Sequence, residues 1–198
     1  MNIVTAELPL FPLNTVLFPG GPLPLRIFEQ RYLDMVSRVL KANSGFGVCL
    51  LIEGREAGGG QAAFHTVGTE AVICDWNQGD DGLLHVLCLG RRQFRVRHNW
   101  VQDDGLHIGK VEWLPEPAAL PLPEPFTPLA RWLQTVWPQL PDYYAGLTRH
   151  DDEAGWVAWR LTEILPLNNS QKQYLLETVE PLKRLQVLQP LIHSLREE

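Results

Sequence analysis

The chain has 198 residues, of which 45% are hydrophobic, and this is enough for one large domain or two small ones with a buried core. Its formal net charge is −6, and an acidic surface repels phosphate groups, so nucleic acid is a disfavoured partner. The sequence shows neither a basic, apolar leader nor a run of about 18 apolar residues, and we therefore expect a cytoplasmic protein without a membrane span.

The first distinctive segment is apolar and rich in proline, with the sequence LPLFPLNTVLFPGGPLPLRIFEQRY from Leu8 to Tyr32. Proline has no N–H group to donate within a sheet, so its five prolines divide the segment into short pieces. We predict a strand over residues 14–18 and a type II turn at Pro19-Gly20, because Pro and Gly suit the two central positions of that turn. The PLPL that follows is predicted to be extended.

After this segment, apolar residues recur at the spacing of one helix face. This spacing predicts a helix that ends between Asn43 and Gly45, residue types that are common at helix C-termini. The apolar face consists of Phe28, Tyr32, Met35, Val36, Val39 and Leu40.

Short β-like runs follow, separated by Gly and Asp residues that favour turns. Three consecutive glycines, Gly58 to Gly60, predict a mobile loop. The predicted strands cover residues 45–54, 69–78, 83–90, 92–101 and 106–114.

Alternation along the fourth of these strands places Arg95 and Arg97 on one face. The last strand breaks the alternation, which indicates a bulge near Gly109. The opposite face of the fourth strand is expected to carry Phe94, Val96 and His98.

Residues 115–128 contain six prolines and are predicted to form a linker between a β-rich domain, residues 1–114, and a helical bundle, residues 129–198. Strands that precede helices in this way indicate the α+β class. We expect helices from Thr127 to about Trp137, from Asp151 to Pro166, over residues 171–179 with a Ser170–Gln173 capping box, and along a final leucine stripe that Pro190 kinks or splits.

The sequence predicts no catalytic residue, metal site or cofactor. Cys49, Cys74 and Cys88 each lie alone in an apolar run and are expected to be buried free thiols. The six histidines lack the spacing of metal ligands, and the HExxH, GxxxxGK[ST] and GxSxG motifs do not occur. The three Asp-Asp doublets lie at predicted turns or at a helix start, where acidic residues are common.

The proline-rich segment resembles the signature of the Lon protease amino-terminal (substrate-binding) domain family. Shorter stretches resemble the same family in the same order, and the resemblance covers residues 8–188. These stretches are GFGVCLLIEGREAG, VGTEAVICD, GRRQFRV, with Gln93 where the family usually has Arg, and WRLTEILPLNNSQKQYLLE.

The resemblance implies a PUA-like pseudo-barrel followed by a helical bundle, and a role in binding proteins or peptides. The ATPase and Ser-Lys protease domains of Lon have no counterpart here, so the chain is similar to stand-alone bacterial members of the family, and no enzyme activity is expected. Within such a barrel, we expect the interior to be filled by Leu10, Leu13, Val16 and Phe18.

A protein or peptide is therefore the predicted partner, and the binding would be non-covalent. Three of the candidate binding residues have an alternative, structural role. Arg26, Glu29 and Arg31 could form ion pairs that fix the helix to the barrel. The oligomeric state stays open. The candidate binding residues are Arg26, Glu29, Arg31, Tyr32, Trp76 and Trp100, of which the two tryptophans lie near turns and are expected to be exposed.

Two alternative functions are kept. The first is RNA binding, since PUA-like barrels include RNA-binding proteins, through a cationic strip interrupted by an aromatic residue. That strip consists of Arg91, Arg92, Arg95 and Arg97. The second is a small-molecule enzyme or sensor that uses a cleft between the two halves, although no residue pattern indicates a substrate.

Overall fold

The computed structural model describes residues 5–53 and 63–197, and for residues 53 and 193–197 it describes the backbone alone. The predicted loop at Gly58 to Gly60 lies outside the described residues. The chain forms two compact units, Met1–Glu116 and Pro117–Glu198. Each unit has hydrophobic clusters of its own.

The first unit is a β-barrel with one helix. Its sheet follows the order β1-β7-β6-β5-β3-β4, and β1 also pairs with β3 in parallel, so the first five strands of this order close into a ring. The elements are β1 (Thr5–Leu13), β2 (Pro22–Ile27), α1 (Gln30–Ala42), β3 (Phe46–Glu53), β4 (Ala63–Phe64), β5 (Val67–Gln78), β6 (Leu84–Val101) and β7 (His107–Trp113).

The first strand lies earlier than predicted, because β1 tolerates two prolines. Pro9 lies where β1 pairs with β7, and Pro12 lies where it pairs with β3; only Leu10 is paired on both sides. Each proline therefore lies at a position where β1 is paired on one side, and its missing N–H faces the other side, where it costs little. The predicted strand over residues 14–18 is wrong, since this stretch is irregular. Of the residues expected to fill the interior, Leu10, Val16 and Phe18 are buried, whereas Leu13 is only partly buried.

The predicted type II turn forms, and it explains why β6 is one strand and not two. Gly20 has a φ of 69°, and the Gly21 N–H donates to the Phe18 carbonyl at 2.9 Å. Gly90, which was expected to end a strand, lies inside β6 against this turn. A Cβ atom at Gly90 would lie 2.1 Å from the Phe18 oxygen, so glycine is needed for close packing and not for a break.

Helix α1 forms as predicted and ends at Asn43, which adopts a left-handed conformation with a φ of 47°. The residues that it buries are Tyr32, Met35, Val36 and Val39. Phe28 and Leu40 were predicted on the same face, but they are 65% and 40% exposed. Phe28 precedes the helix, so the helical spacing does not apply to it.

Bulges account for two further differences. The β6–β7 register shifts between Val96 and His98, so the extra residue is Arg97 in β6 and not a residue near Gly109. This shift leaves His98 exposed, unlike the buried Val96. A second shift, between Ile73 and Asp75, makes Cys74 the bulged residue of β5, and its thiol is exposed where a buried one was predicted.

The second unit consists of helices joined by short 3-10 turns. Its helices are α2 (Thr127–Val136), α3 (Ala154–Ile164), α4 (Asn169–Glu177) and α5 (Pro181–Glu197). The proline-rich segment contributes to this unit, since the Leu122 N–H donates to the Asp152 carbonyl at 2.7 Å. The capping box of α4 is formed by Asn168 and Gln171, two residues before the predicted pair. Pro190 lies inside α5, which continues past it.

Charged residues are buried in the helical unit. Arg160 and Arg184 are fully buried, and the guanidinium of Arg184 lies 3.4 Å from the centre of the Trp159 ring. Arg160 contacts Glu163, with an N–O distance of 3.1 Å, and the Glu163 side chain is 9% exposed. Burial raises the pKa of Glu163 to about 7, and this outweighs the attraction of the Arg160 and Lys172 cations.

Across the part of the chain that the structure describes, every helix is too short or too polar to cross a membrane.

Candidate functional site

Two arginines of the RIFEQR stretch each bind one hairpin turn of the barrel. Arg26 forms an ion pair with Asp81 in the turn between β5 and β6. Arg31 donates to the Gly105 carbonyl, at 2.9 Å, in the turn between β6 and β7. Two residues that lie five positions apart, between β2 and the start of α1, therefore fix two turns that are distant in sequence. Arg26 fixes a strand to a hairpin, whereas Arg31 fixes the helix to the barrel as the alternative role proposes.

Asp81 is the centre of the first turn. It accepts a hydrogen bond from the Leu83 N–H at 3.0 Å, and it also contacts His85 with a closest distance of 3.2 Å. The Leu83 N–H, His85 and Arg26 together lower the pKa of Asp81 to about 2. Asp81 is therefore ionised at neutral pH, and it holds the end of β2 against this turn.

The remaining residues of the RIFEQRY stretch lie around Arg31. Glu29 forms an ion pair with Arg31 at 2.7 Å. Tyr32 is 4% exposed, and its ring stacks on Phe11 with 3.8 Å between the ring centres. Burial raises the pKa of Tyr32 to about 12, so its hydroxyl stays protonated. Tyr32 supports the site from the core and is not placed to contact a partner at the surface.

Large apolar side chains are exposed at the end of the sheet that carries the Asp81 turn. Trp76 in β5 is 59% exposed, as predicted, and Phe28 is 65% exposed. Phe28 follows Ile27, which pairs with Leu84 directly after this turn. Of the two aromatic residues, sequence reasoning missed Phe28, although its position before Glu29 and Gln30, at the start of the helix, was an available signal.

The other predicted tryptophan lies at the second turn and is partly buried against the main core. Trp100 lines an open hollow of about 520 Å³, together with Val101, Gln102, Asp103 and Asp104. Asp104 is 3.7 Å from Arg38 of α1. Trp100 thus belongs to a shallow, acidic surface that is separate from the surface around Trp76.

The predicted cationic strip is partly neutralised. Arg92 forms an ion pair with the buried Glu70 at 2.9 Å and lies 3.5 Å above the centre of the Trp113 ring. Arg97 forms an ion pair with Glu112 in β7. Arg91 and Arg95 are exposed. The strip therefore offers phosphate groups two exposed cations and two that already have carboxylate partners.

The helical unit has an apolar groove of about 300 Å³ between α4 and α5. Tyr174 and Val187 lie on its walls and are 62% and 42% exposed. Residues 5–53 and 63–197 contain no group of three or more His, Cys, Asp or Glu side chains that could hold a metal ion.

Comparisons with known proteins give one family match and several individual relatives. Residues 7–194 match the family described as the ATP-dependent protease La (LON) substrate-binding domain. The chain is 28% identical to a Lon protease of Anaeromyxobacter dehalogenans, over 98% of this chain and 24% of that protein. It is 31% identical to protein cereblon of Gallus gallus, over 55% of this chain and 24% of that protein. The chain thus spans about a quarter of the length of these relatives.

Solved structures show the same fold. A crystal structure of a Lon N-terminal domain protein from Xanthomonas campestris aligns with a TM-score of 0.76 and 38% identity, covering 93% of this chain and 98% of that one. The N-terminal domain of a Mycobacterium avium complex Lon protease aligns with a TM-score of 0.64 and 19% identity, over 92% of this chain and 96% of that one. The family match, which covers nearly the whole chain, shows that this protein belongs to the Lon substrate-binding domain family.

Proposed function

We propose that this protein is a non-catalytic module that binds segments of other polypeptides at the Phe28 and Trp76 end of the barrel. The observation that carries the proposal is the exposure of these two aromatic side chains, 65% and 59%, beside the same turn. Aromatic residues contribute a large share of binding energy at protein interfaces. Side chains held on a rigid sheet lose little entropy when they contact a partner.

The ion pairs around this end support the proposal. The ion pair between Arg26 and Asp81 fixes the turn to β2. Trp76 lies in β5, which pairs with β6 on the side opposite to β2. The aromatic residues are therefore positioned before a partner arrives. A preformed surface binds with less loss of conformational freedom than a mobile loop does.

The family match supports a binding role and not a catalytic one, since the matched domain is described as a substrate-binding domain. The proposal concerns the binding of polypeptide segments by this chain and does not depend on a partner protease. The PUA-like name for the barrel and a cytoplasmic location stay predictions. RNA binding is not proposed, because Arg92 and Arg97 already have carboxylate partners and the formal net charge is −6.

A direct test uses a permanently unfolded probe, reduced and carboxymethylated α-lactalbumin labelled with a fluorophore. Binding is measured by fluorescence anisotropy with wild-type protein and with the variants Phe28→Ser and Trp76→Ser. We expect each variant to weaken binding by about tenfold or more, as interface aromatic residues do.

Ile52→Ser is the matched control, because Ile52 is 55% exposed in the same unit and lies in β3, away from the Asp81 turn. It should leave the affinity unchanged. Equal losses from Ile52→Ser and Trp76→Ser, or no binding by wild-type protein at tens of micromolar, would contradict the proposal.

A further inference from the structure

The end of the barrel that carries Phe28 and Trp76 has two sheet edges. There β6 lies between β2 and the second half of β5. Among residues 5–53 and 63–197, β2 pairs only with β6, and β5 pairs with β3 only over Thr69–Ala71. Each edge could in principle receive an extended segment of another chain.

Prolines block the edge of β2. Because proline cannot donate to β6, Pro22 and Pro24 must lie at the positions whose backbone groups point away from β6. The N–H group of Arg26, two residues after Pro24, also points away from β6. The outer edge of β2 therefore has two of its three N–H positions occupied by proline, which is a common way to prevent strand pairing.

The edge of β5 lacks this protection. Its last five residues, Cys74 to Gln78, are all exposed and contain no proline or lysine. Leu23 and Leu25 of β2 alternate with the prolines and so bond to Cys88 and Val86 of β6. Backbone groups of a central antiparallel strand point to its two neighbours in turn. Val86 therefore does not bond to β5.

The β5 residue opposite Val86 is Trp76, so the Trp76 N–H points outward, and that of Gln78 follows by alternation. An independent contact agrees, since the Trp76 N–H donates to the side chain of Asp75 at 2.8 Å. Among the described residues, the exposed carboxylate of Asp75 is therefore the acceptor for this outward donor next to the Trp76 ring. A pairing strand would replace that carboxylate with a backbone carbonyl.

The charge of this end indicates which segments would fit. Asp81 is paired with Arg26, but Asp75 and Asp80 have no cationic partner among the described residues. When a strand takes the Trp76 N–H, the released Asp75 carboxylate lies beside the incoming chain. A Lys or Arg side chain at that place would pair with Asp75.

We infer that the protein binds extended polypeptide segments as an added β-strand on Cys74 to Gln78, with preference for apolar segments that carry Lys or Arg. This inference rests on the proposed function and specifies its mode. Five residues of strand span roughly 17 Å, which suits a segment of four to six residues.

The test uses a labelled peptide of alternating Val and Thr with one Lys near each end, its Glu counterpart, and a version with N-methylated backbone amides. The variant Gln78→Pro removes one outward N–H, and Gln78→Ala keeps that N–H while removing the side chain. We expect Gln78→Pro and N-methylation each to weaken binding by about tenfold, and Gln78→Ala to have little effect. Thermal melting checks that Gln78→Pro folds. If this variant does not fold, the binding of the N-methylated peptide to the wild-type protein tests strand addition instead.

Charge is tested with Asp75→Asn, which keeps an acceptor for the Trp76 N–H, against Asp103→Asn in the other turn. Asp75→Asn should remove the preference for Lys over Glu peptides, whereas Asp103→Asn should preserve it. Equal binding of the N-methylated peptide would overturn strand addition and leave the proposed function standing. Binding of the unfolded protein without binding of any peptide would do the same. If neither the peptides nor the unfolded protein bind, the proposed function itself fails.

Discussion

Glu163 is the residue whose titration should be visible in the stability of the helical unit. Its carboxylate faces Arg160 of α3, the hydroxyl of Tyr144 and the cation of Lys172 in α4. Burial raises its pKa from 4.5 to about 7, so the folded unit binds a proton more tightly than the unfolded chain does. The associated free energy of unfolding, about 3 kcal/mol at most, is present below pH 4.5 and is lost as the pH rises to about 7.

The variant Glu163→Gln keeps the size and the acceptor oxygen but cannot ionise. Its stability in urea unfolding should therefore fall less between pH 5 and pH 8 than that of the wild-type protein. Glu124→Gln, at an exposed carboxylate of the same unit, serves as the control and should retain the wild-type pH dependence. An unchanged slope in Glu163→Gln would show that Glu163 is ionised throughout this range.

Single residues were predictable where local sequence decides exposure. Trp76 lies close to a turn and is exposed as expected. Cys74 lies only two residues earlier, and its exposure depends on a bulge opposite β6, which a single sequence does not show. The full burial of Arg160 and Arg184 was equally invisible, because charged residues are seldom buried and their partners come from distant parts of the chain.

At the level of elements, the capping box of α4 gives a sharp test. The Asn168 side chain accepts from the Gln171 N–H at 2.9 Å, and the Gln171 side chain accepts from the Asn168 N–H at 2.9 Å. Asn168→Ala should destabilise the helical unit by about 1 kcal/mol, the usual cost of losing an N-cap. Ser170→Ala should change little, since the predicted cap at Ser170 is not the one that forms. The two variants are compared by urea unfolding, and a larger loss from Ser170→Ala would favour the cap predicted from sequence.

The elements that sequence reasoning misplaced are those whose limits depend on a neighbour. Helix α1 was predictable because its apolar spacing and its Asn43 cap are local. The single strand β6 was divided in two because Gly90 resembles a break, whereas it allows the Phe18 turn to approach. The prolines of the first segment predict a division into short pieces, and the pairing of β1 with different neighbours at its two ends shows why two of them lie within one strand.

At the scale of the molecule, the two units have separate cores, and we expect the first to fold alone. The barrel clusters contain described residues only up to Trp113, and the helical cluster contains none before Leu122. A chain that ends at Glu116 should unfold cooperatively on heating and keep its near-ultraviolet circular dichroism. A chain that ends at Val101 should not, because it lacks β7 and cannot close the ring. A non-cooperative transition in the longer fragment would show that the barrel depends on the helices.

The order of strands before helices was predictable from composition along the chain, and so was the family. The closure of the sheet was not, because the parallel pairing of β1 with β3 joins residues about 37 positions apart without a local signal. The predicted binding residues show the same limit. Arg26 and Trp76 lie at one turn, while Arg31 and Trp100 lie near another, so the sequence named residues of two surfaces as one group.

The closed ring also constrains how the protein is made. Strand β1 is the first described strand to leave the ribosome, yet its antiparallel partner β7 is synthesised about a hundred residues later. At the usual rates of translation this is a delay of roughly 5–20 s. During that time, β3 is the ring neighbour with which β1 can pair, and the edge of β1 that later pairs with β7 is available to other polypeptide chains. Pro12 pairs with β3, so its missing N–H faces this open edge and removes one of the donors that another chain could use, which lowers the risk of aggregation of the nascent chain.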